Sequence, residues 1–325
     1  MNLKYYKLCS ITYWKLNISL VLFCCVKILG SWPAPSLNHP NKRFFIFCFS
    51  VLLISSCQKD ITLNIPPSEE QIVVEGHIET GQPPYVILTR TSDYYSTFYL
   101  DSLSNLFVHD AVVQVSDGTQ TITLSEFSLD TLGAVVSVYL GLNMVGEVGK
   151  TYTLTVQTEG KTLNAVTTIP NVIPLDSIWY EQNADPDNDT LVRLICRYND
   201  PPQLGQYVRY FTQINNEGFY PGLNSVFEDA VINGTTFDFP LDRGINRNDS
   251  TSFENYGLFK KGDTITVKWS GIDKPHFDYW RTEEFELGGQ GSPFSSPVII
   301  QSNINGGLGI WGGYSSSFIS IVVPK

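Results

Sequence analysis

The chain has 325 residues, which suits about two domains of ordinary size, each able to bury its own core. Its 25 glycines and 18 prolines are near average usage and exclude collagen-like and low-complexity proteins. A net charge of −11 argues against a nucleic-acid-binding protein, because such a protein needs a basic surface to neutralise phosphates.

The charges divide the chain into two parts. The first 56 residues contain six basic residues and no Asp or Glu, so all 32 acidic residues lie further on. Lys42 and Arg43 are followed by an apolar run over residues 44–54 and then by small residues, which is the order of a signal peptide. The 13 residues from Phe44 to Ser56 are too few for a membrane-crossing helix, which needs about 20.

We therefore predict a signal region over residues 1–56, in which residues 42–56 are the signal peptide. Residues 1–41 fit this interpretation poorly, because they contain a second apolar stretch, Ile18–Leu29, that is interrupted by Lys27. We interpret residues 1–41 as an upstream extension produced by a mis-called start codon. The alternative is a membrane helix over residues 18–29, although that stretch is short for one.

The end of the signal region, Leu53-Ile-Ser-Ser-Cys57, resembles a bacterial lipobox. The resemblance implies cleavage between Ser56 and Cys57, a diacylglycerol on the Cys57 thiol and a third acyl chain on the new amino group. Two or more acyl chains anchor a protein stably, whereas one binds a membrane only marginally. We therefore predict a lipid-anchored protein with a tether over residues 57–70. The alternative is an ordinary secretory signal in which Cys57 is incidental.

Cysteine usage agrees with this division. Of the six cysteines, only Cys196 lies beyond the predicted acylation site, so the folded part has neither an internal disulfide nor a cysteine-based zinc site. Cys196 belongs to a strand-like run over residues 191–198. We expect a buried and unreactive thiol, because a reactive cysteine needs an electropositive neighbourhood and a histidine partner.

From residue 71 onwards the hydrophobic pattern is typical of short β-strands. Apolar residues alternate with threonines over residues 151–156, which is the period of a half-buried antiparallel strand. Asp117-Gly118 stands between two such runs and predicts a hairpin with a tight two-residue turn. The number and spacing of the strands favour a β-sandwich domain over residues 71–170.

Residues 175–325 form a second predicted domain, which is again rich in strand patterns. We predict one helix in it, over Lys274–Leu287, with Asp273 as the cap. Its predicted apolar face consists of Phe277, Trp280 and Leu287. The last strand is predicted at Phe318–Val323. The fold class is therefore mainly β, with an N-terminal β-sandwich followed by a β-rich domain that has one short helix.

Four stretches resemble an uncharacterised family of Bacteroidota lipoproteins: Val74–His77, Phe277–Trp280, Pro293–Pro297 and Ser302–Tyr314. Members of that family are classed only as a domain of unknown function and are often encoded beside TonB-dependent outer-membrane receptors. The first half of the mature chain is also similar to carboxypeptidase-regulatory-like sandwiches, which are immunoglobulin-like. Gln58-Lys-Asp60 resembles the signal that exports such lipoproteins. The resemblance implies residence in the outer membrane, with exposure at the cell surface as a further expectation.

Two patterns that suggest a ligand site have the wrong surroundings. Gly307–Gly312 has the spacing of a dinucleotide fingerprint, but the 13 residues after it contain no acid and predict a strand where the motif needs a helix. We expect its glycines to permit turns or close packing. Asp185–Asp189 hints at a calcium loop, yet Thr190 and Cys196 replace the glycine and glutamate of an EF-hand. A solvated hairpin tip is the favoured interpretation, and calcium binding there is left open.

The polar residues do not predict a catalytic site. The mature chain has three histidines, His77, His109 and His276, with none of the spacings that a zinc site uses. We expect His276, in the first helical turn, to be exposed. The helix glutamates favour a solvated face over a catalytic carboxylate pair, since adjacent helical residues do not face each other. These glutamates are Glu283, Glu284 and Glu286.

We therefore expect a non-enzymatic, lipid-anchored outer-membrane protein that uses no cofactor and binds no metal. Its expected partners are membrane lipid, through acylated Cys57, and a TonB-dependent receptor, to which it would be an accessory or binding partner; no nucleic acid is expected. The alternative is a surface lipoprotein that binds a glycan or peptide by itself, through exposed aromatic residues such as Trp179 and Tyr180. A hydrolase whose site assembles from distant residues is the second alternative.

Overall fold

The computed structural model describes residues 69–92, 103–131, 134–182, 188–231, 233–246, 255–289 and 298–325. These residues belong to one compact unit, Pro67–Lys325. Their structure is mainly β, which confirms the predicted fold class. The predicted signal region over residues 1–56 and most of the predicted tether, including Cys57, lie outside the described residues.

The described residues form sixteen strands and one α-helix, α1 (Lys274–Gly289), with two 3-10 turns at Ser104–Leu106 and Asp229–Val231. No helix in this part of the chain is long and apolar enough to cross a membrane. The strands are β1 (Ile72–Glu79), β2 (Tyr85–Arg90), β3 (Val112–Ser116), β4 (Thr121–Thr123), β5 (Ser125–Thr131), β6 (Ala134–Leu140), β7 (Thr151–Thr158), β8 (Lys161–Thr168), β9 (Ser177–Gln182), β10 (Leu191–Asn199), β11 (Tyr207–Ile214), β12 (Tyr220–Glu228), β13 (Thr236–Leu241), β14 (Phe259–Lys260), β15 (Thr264–Ile272) and β16 (Leu308–Val322).

The first eight strands form the two layers of a β-sandwich. One layer is the four-stranded sheet β4-β3-β7-β8, and the other contains β1, β2, β6 and β5. Every second residue of β7 is buried, from Tyr152 to Thr158, which confirms the alternation predicted for this segment. Val74 and Tyr139 of one layer share a hydrophobic core with Leu154 of the other.

The hairpin between β3 and β4 differs from the prediction in its turn. Ser116 pairs with Thr121, so the loop covers residues 117–120, and the predicted two-residue turn at Asp117-Gly118 is wrong. The reason is the Asp117 carboxylate, which accepts the backbone N–H groups of Thr119 (2.9 Å) and Gln120 (2.8 Å). These side-chain bonds stabilise a wider turn than the dipeptide alone suggests.

A second pair of layers follows in the C-terminal part. One sheet contains β9, β10, β13 and β14, and the other contains β12, β11, β15 and the second half of β16. Their shared core includes Cys196, which is buried as predicted. Burial raises the pKa of the Cys196 thiol to about 12. A thiol in this state packs in the core and does not act as a nucleophile.

The last strand, β16, belongs to both sandwiches. Its residues Leu308–Tyr314 pair in parallel with β1, and its residues Ser315–Val322 pair antiparallel with β15. The result is an eight-stranded sheet in the order β12-β11-β15-β16-β1-β2-β6-β5. The two predicted domains, 71–170 and 175–325, therefore share one sheet, and the boundary between them stays a prediction.

The first half of β16 is glycine-rich, which explains why only its end was predictable. Glycine is depleted in strands, so a glycine run conceals a strand from pattern analysis. Gly309 has a φ of +105°, and a Cβ at this position would overlap the carbonyl oxygen of Val74 on β1. A Cβ at Gly312 would overlap the ring of His276. These glycines therefore permit close packing, as predicted.

The Gly309→Ala variant tests this close approach between β16 and β1. We expect it to lose about 4 kcal/mol or more of unfolding free energy, because the added methyl group would overlap the rigid backbone of Val74. The matched control is Gly118→Ala, where φ is also positive (+86°) but the added Cβ would have no other residue's atom within 4 Å apart from its chain neighbours. Only the backbone strain of about 1–2 kcal/mol is then expected. Urea unfolding measures both losses; equal losses would contradict a role for the contact with Val74.

Candidate functional site

Helix α1 is held at its N-terminus by Asp273. One carboxylate oxygen accepts the backbone N–H of His276 (3.1 Å), which confirms Asp273 as the cap. The other oxygen accepts the Thr167 hydroxyl (2.7 Å) and the Thr168 N–H (3.0 Å) from β8. The cap therefore also ties the helix to the N-terminal sandwich.

The buried face of α1 is the predicted one only in part. Phe277 is buried and Trp280 is half-buried, as predicted, but Leu287 is 38% exposed. His276 (1% exposed) and Glu284 (6% exposed) are buried as well. The predictions that His276 and Glu284 face solvent are therefore wrong. The reason lies in tertiary structure, because both side chains meet groups on the sheet that the helix pattern does not reveal.

Glu284 belongs to a buried network around Arg209 of β11, a cation that is only 4% exposed. The Arg209 guanidinium lies 3.4 Å from the centroid of the Trp280 ring. It donates to the hydroxyls of Ser225 (3.2 Å) and Tyr314 (3.0 Å). Glu284 accepts the Ser225 N–H (2.9 Å) and the Ser225 hydroxyl. Ser225 thus links a buried cation to a buried anion, and both charges are hydrogen-bonded, as buried charges must be.

Two histidines flank the Tyr314 ring. Its centroid lies 5.4 Å from the ring centroid of His77 on β1 and 4.5 Å from that of His276. Burial lowers the pKa of His77 to about 3, and the charges of Lys268 and Arg209 add to this effect. Burial also holds the pKa of His276 well below its usual value, with Arg209 as the next cause. Both imidazoles are therefore neutral at physiological pH.

A direct ion pair lies at the same place, where Lys268 Nζ is 2.6 Å from Glu79 Oε2. We call the whole group the junction cluster, because it joins strands of both sandwiches to α1. Each charge in the junction cluster lies beside an opposite charge, an aromatic ring or a hydrogen-bond partner. The cluster is therefore suited to stabilising the fold. The junction cluster consists of His77, Glu79, Arg209, Ser225, Lys268, His276, Trp280, Glu284 and Tyr314.

On the other face of β15 lies a cavity of about 230 Å³. Trp269 points into it although its neighbour Lys268 belongs to the junction cluster, because successive strand residues face opposite sides. We call it the aromatic cavity, after the five rings from the facing sheets of the C-terminal sandwich that line it. These rings belong to Tyr198, Phe227, Phe237, Phe239 and Trp269.

Two buried carboxylates also line the aromatic cavity. Asp200 directly follows β10 and is 4% exposed, and Asp229 directly follows β12 and is 5% exposed. Burial raises the pKa of Asp200, and the charge of Asp229 raises it further. One Asp200 oxygen accepts the Gly234 N–H (2.9 Å), whereas Oδ1 has no hydrogen-bond partner within the described part of the chain.

The remaining sequence predictions fall elsewhere or on residues that are not described. His109 lies 2.6 Å from Glu126 in the N-terminal sandwich. Residues 185–187 of the suggested calcium loop lie outside the described residues, as do Ser56 and Cys57, so the cleavage, acylation and calcium hypotheses stay predictions. Among the residues that the structure describes, no group of three or more His, Cys, Asp or Glu could hold a metal ion.

The sequence pattern does not single out Arg209, Asp200 or Asp229. Their roles depend on contacts with strands that are distant in the sequence, and a local pattern does not indicate such contacts. Phe237 and Phe239 do leave a signal, since they alternate with Asp238 as in a strand with one aromatic face.

These features define a class of mainly β protein in which two sandwiches share their last strand and enclose a charged junction and an aromatic cavity. The chain matches the family model of a domain of unknown function, DUF4249, over residues 58–319, and it belongs to that family. The expected membership in a family of unknown function is thereby confirmed. No curated protein matches the chain.

The Arg209→Ala variant tests whether the junction cluster stabilises the fold. We expect a loss of about 3–5 kcal/mol in unfolding free energy, because the variant removes the cation that compensates the buried Glu284 carboxylate. The control is Arg197→Ala, which removes an exposed pair with Asp238 (2.7 and 2.8 Å) and should cost about 0–1 kcal/mol. Both are measured by urea unfolding. A small loss in Arg209→Ala would contradict the structural role.

The neutral histidines predict that stability falls in mild acid. In the unfolded chain His77 binds a proton below about pH 6.5, but in the folded protein only near pH 3. Protonation of His77 therefore favours the unfolded chain. The unfolding free energy is highest above pH 6.5 and decreases as pH falls, by about 2 kcal/mol at pH 5. We expect His77→Asn to reduce the stability difference between pH 7 and pH 5 by that amount, as measured by urea unfolding at both values. An unchanged difference would refute the assignment.

Proposed function

We propose that this protein is an outer-membrane lipoprotein, anchored through acylated Cys57, that is a non-enzymatic accessory or binding partner of a TonB-dependent transporter. The transporter and the Bacteroidota setting come from the sequence resemblance to lipoproteins encoded beside such receptors. The anchor, an exposed sheet edge and the junction cluster support the proposal, each in a different way.

The position of the family domain directly behind the lipobox carries the proposal. The DUF4249 match begins at residue 58, the residue after the predicted acylation site. A lipid anchor on Cys57 leaves the β-rich part of the matched domain beside the membrane, joined to it by the tether over residues 57–70. Anchoring raises the effective concentration of the domain near membrane-embedded partners, so even a weak contact with a transporter becomes populated.

An exposed sheet edge supports an interaction with a protein partner. In the described structure β5 is the end strand of the eight-stranded sheet, and it exposes Phe127 (46%) and Leu129 (67%). Their pairing partners on β6 are Val138 and Val136. An edge strand with apolar side chains can receive an extended segment from a partner, which adds to the sheet. In this proposal the segment comes from the transporter.

The junction cluster supports a non-enzymatic role. A general acid or base must reach its substrate with a free proton or lone pair. Here Arg209 and Glu284 are both bound to Ser225, and Lys268 is paired with Glu79. These groups form hydrogen bonds and an ion pair with other side chains in the interior of the protein.

The alternative function, independent ligand binding at the surface, is favoured by a different observation, the aromatic cavity. Trp179 and Tyr180, the aromatic residues that sequence analysis offered for a glycan, are half-buried, and Tyr180 packs against the core. A binding function without a transporter would therefore use the cavity in preference to these surface rings.

The proposal is tested with the full chain, carrying a C-terminal tag, in a Bacteroidota host. Mild crosslinking, detergent extraction and mass spectrometry should identify a β-barrel receptor as the dominant partner and an acylated N-terminal peptide that starts at Cys57. The Cys57→Ser variant should leave the membrane fraction, because the acylated thiol is lost. A soluble, unacylated wild-type protein would overturn the anchor.

A pair of surface variants separates the partner from the anchor. Leu129→Asp places a charge on the exposed face of β5 and should reduce receptor crosslinking at least about tenfold, since an apolar contact is replaced by a buried unpaired charge. Val166→Asp is the matched control, because Val166 is 52% exposed on β8, an end strand of the other sheet. An acylated protein with no receptor, or equal effects of both variants, would contradict the transporter partnership.

A further inference from the structure

The rings of the aromatic cavity form a closed circuit of contacts. Tyr198 lies 6.0 Å from Phe237 and 5.5 Å from Trp269, measured between ring centroids, and Phe239 lies 5.3 Å from Phe237 and 5.9 Å from Trp269. Phe227 contacts both Phe239 (5.9 Å) and Trp269 (6.0 Å). Phe227, Phe237 and Phe239 are half-buried, so the cavity reaches the surface beside them.

The charges along the aromatic cavity are all negative. Its lining includes Asp200, Glu228 and Asp229, and it contains no Lys or Arg. Glu228 has its own partner outside the lining, since Arg281 Nη1 lies 2.5 Å from its carboxylate. Asp200 and Asp229 are buried and are close enough for one to raise the pKa of the other. A buried pair of like charges is unfavourable unless a cation or a proton compensates it.

Two buried polar atoms of the lining have no hydrogen-bond partner within the described residues: Asp200 Oδ1, an acceptor, and Trp269 Nε1, a donor. The Tyr198 hydroxyl is placed to donate to Gln206 Oε1 (3.3 Å), and it also stands close enough to the Asp200 carboxylate to lower its pKa. A buried polar group without a hydrogen-bond partner is unfavourable, because it has lost its hydrogen bonds to water. The carboxylate oxygen can therefore accept an N–H or O–H bond from a ligand in the cavity.

The shape and chemistry of the aromatic cavity favour an organic cation over a metal ion. Aromatic faces attract ammonium groups, and a ring of them is the usual site for such ligands. A calcium ion needs six to eight oxygen ligands, whereas this lining is mostly apolar and aromatic. Its volume of about 230 Å³ holds several waters but is below the usual ~300–1,000 Å³ of a drug-sized site, so it suits one small group.

We propose that the aromatic cavity binds a primary ammonium group, with Asp200 Oδ1 accepting an N–H bond and the rings of Trp269 and Phe239 facing the charge. The ammonium group is that of a small free amine or of a lysine side chain on a peptide, since the same chemistry recognises both. This assignment does not depend on a transporter partner and goes beyond the function proposed above.

Calorimetric titration of the full chain in detergent tests the assignment with four probes. n-Butylammonium should bind at least about tenfold more tightly than 1-butanol, its neutral analogue, and more tightly than tetramethylammonium, which has no N–H to donate. A lysine residue blocked at both ends is the fourth probe. If it binds as well as n-butylammonium, a peptide side chain is the source; if only n-butylammonium binds, a free amine is.

Variants place the bound group in the cavity. Asp200→Asn keeps an acceptor for the Gly234 N–H but removes the charge, and it should weaken n-butylammonium binding at least about tenfold. Asp238→Asn is the matched control and should change the affinity less than about twofold, since Asp238 stands on β13 between Phe237 and Phe239 and faces away from the cavity.

Phe239→Leu gives a second measurement if Asp200→Asn does not fold, because a half-buried ring is lost while the apolar volume is largely kept. It should weaken n-butylammonium more than 1-butanol. Equal binding of n-butylammonium and 1-butanol would overturn the proposal in favour of a merely apolar cavity. No binding of any probe would also overturn it, with Asp200 then protonated or hydrated. Neither outcome bears on receptor crosslinking, which tests the transporter partnership separately.

Discussion

The two sandwiches depend on one close approach of backbones, between Gly309 of β16 and Val74 of β1. Parallel pairing of these strands places the C-terminal end of the chain beside the first strand of the N-terminal sandwich. A side chain at position 309 would prevent it. Trp311 follows two residues later, is buried in the N-terminal core and donates its indole N–H to the carbonyl oxygen of Tyr152 (3.1 Å). The N-terminal sandwich is thus completed by the last strand of the chain.

The junction cluster is a consequence of the point where β16 changes partner. Tyr314 is the last residue of β16 paired with β1, and Ser315 is the first paired with β15. The Tyr314 ring therefore meets His77 from one sandwich and the Arg209 guanidinium from the other, while α1 adds His276. The charged groups of this network are hydrogen-bonded or paired, whereas His276 Nδ1 and Trp280 Nε1 have no hydrogen-bond partner among the described residues. The bonds between the charged groups specify one arrangement of the cluster, because breaking any of them leaves a buried charge less well compensated.

The same sheet separates two different chemical environments. On β11, Val208 lines the aromatic cavity and Arg209 lies in the junction cluster; on β15, Trp269 and Lys268 divide in the same way. Alternation along each strand produces this division. One face is closed by charges that satisfy each other and stabilise the fold. The other face contains the aromatic cavity, which is lined by two buried carboxylates and by no Lys or Arg, and the ligand proposal therefore belongs there.

Local sequence patterns were enough to predict the mainly β class, the alternation along β7, the Asp273 cap of α1 and the buried Cys196. Each of these follows from residues close together in the chain, whose pattern reports burial directly. The remaining features depend on contacts between distant segments. His276 and Glu284 turn inward because their partners lie on β11, β12 and β16. The glycine-rich run at residues 308–313 forms a strand because it pairs with β1. Pairing between distant segments has no local pattern, so the partners of a buried polar group become visible only when the fold brings them together.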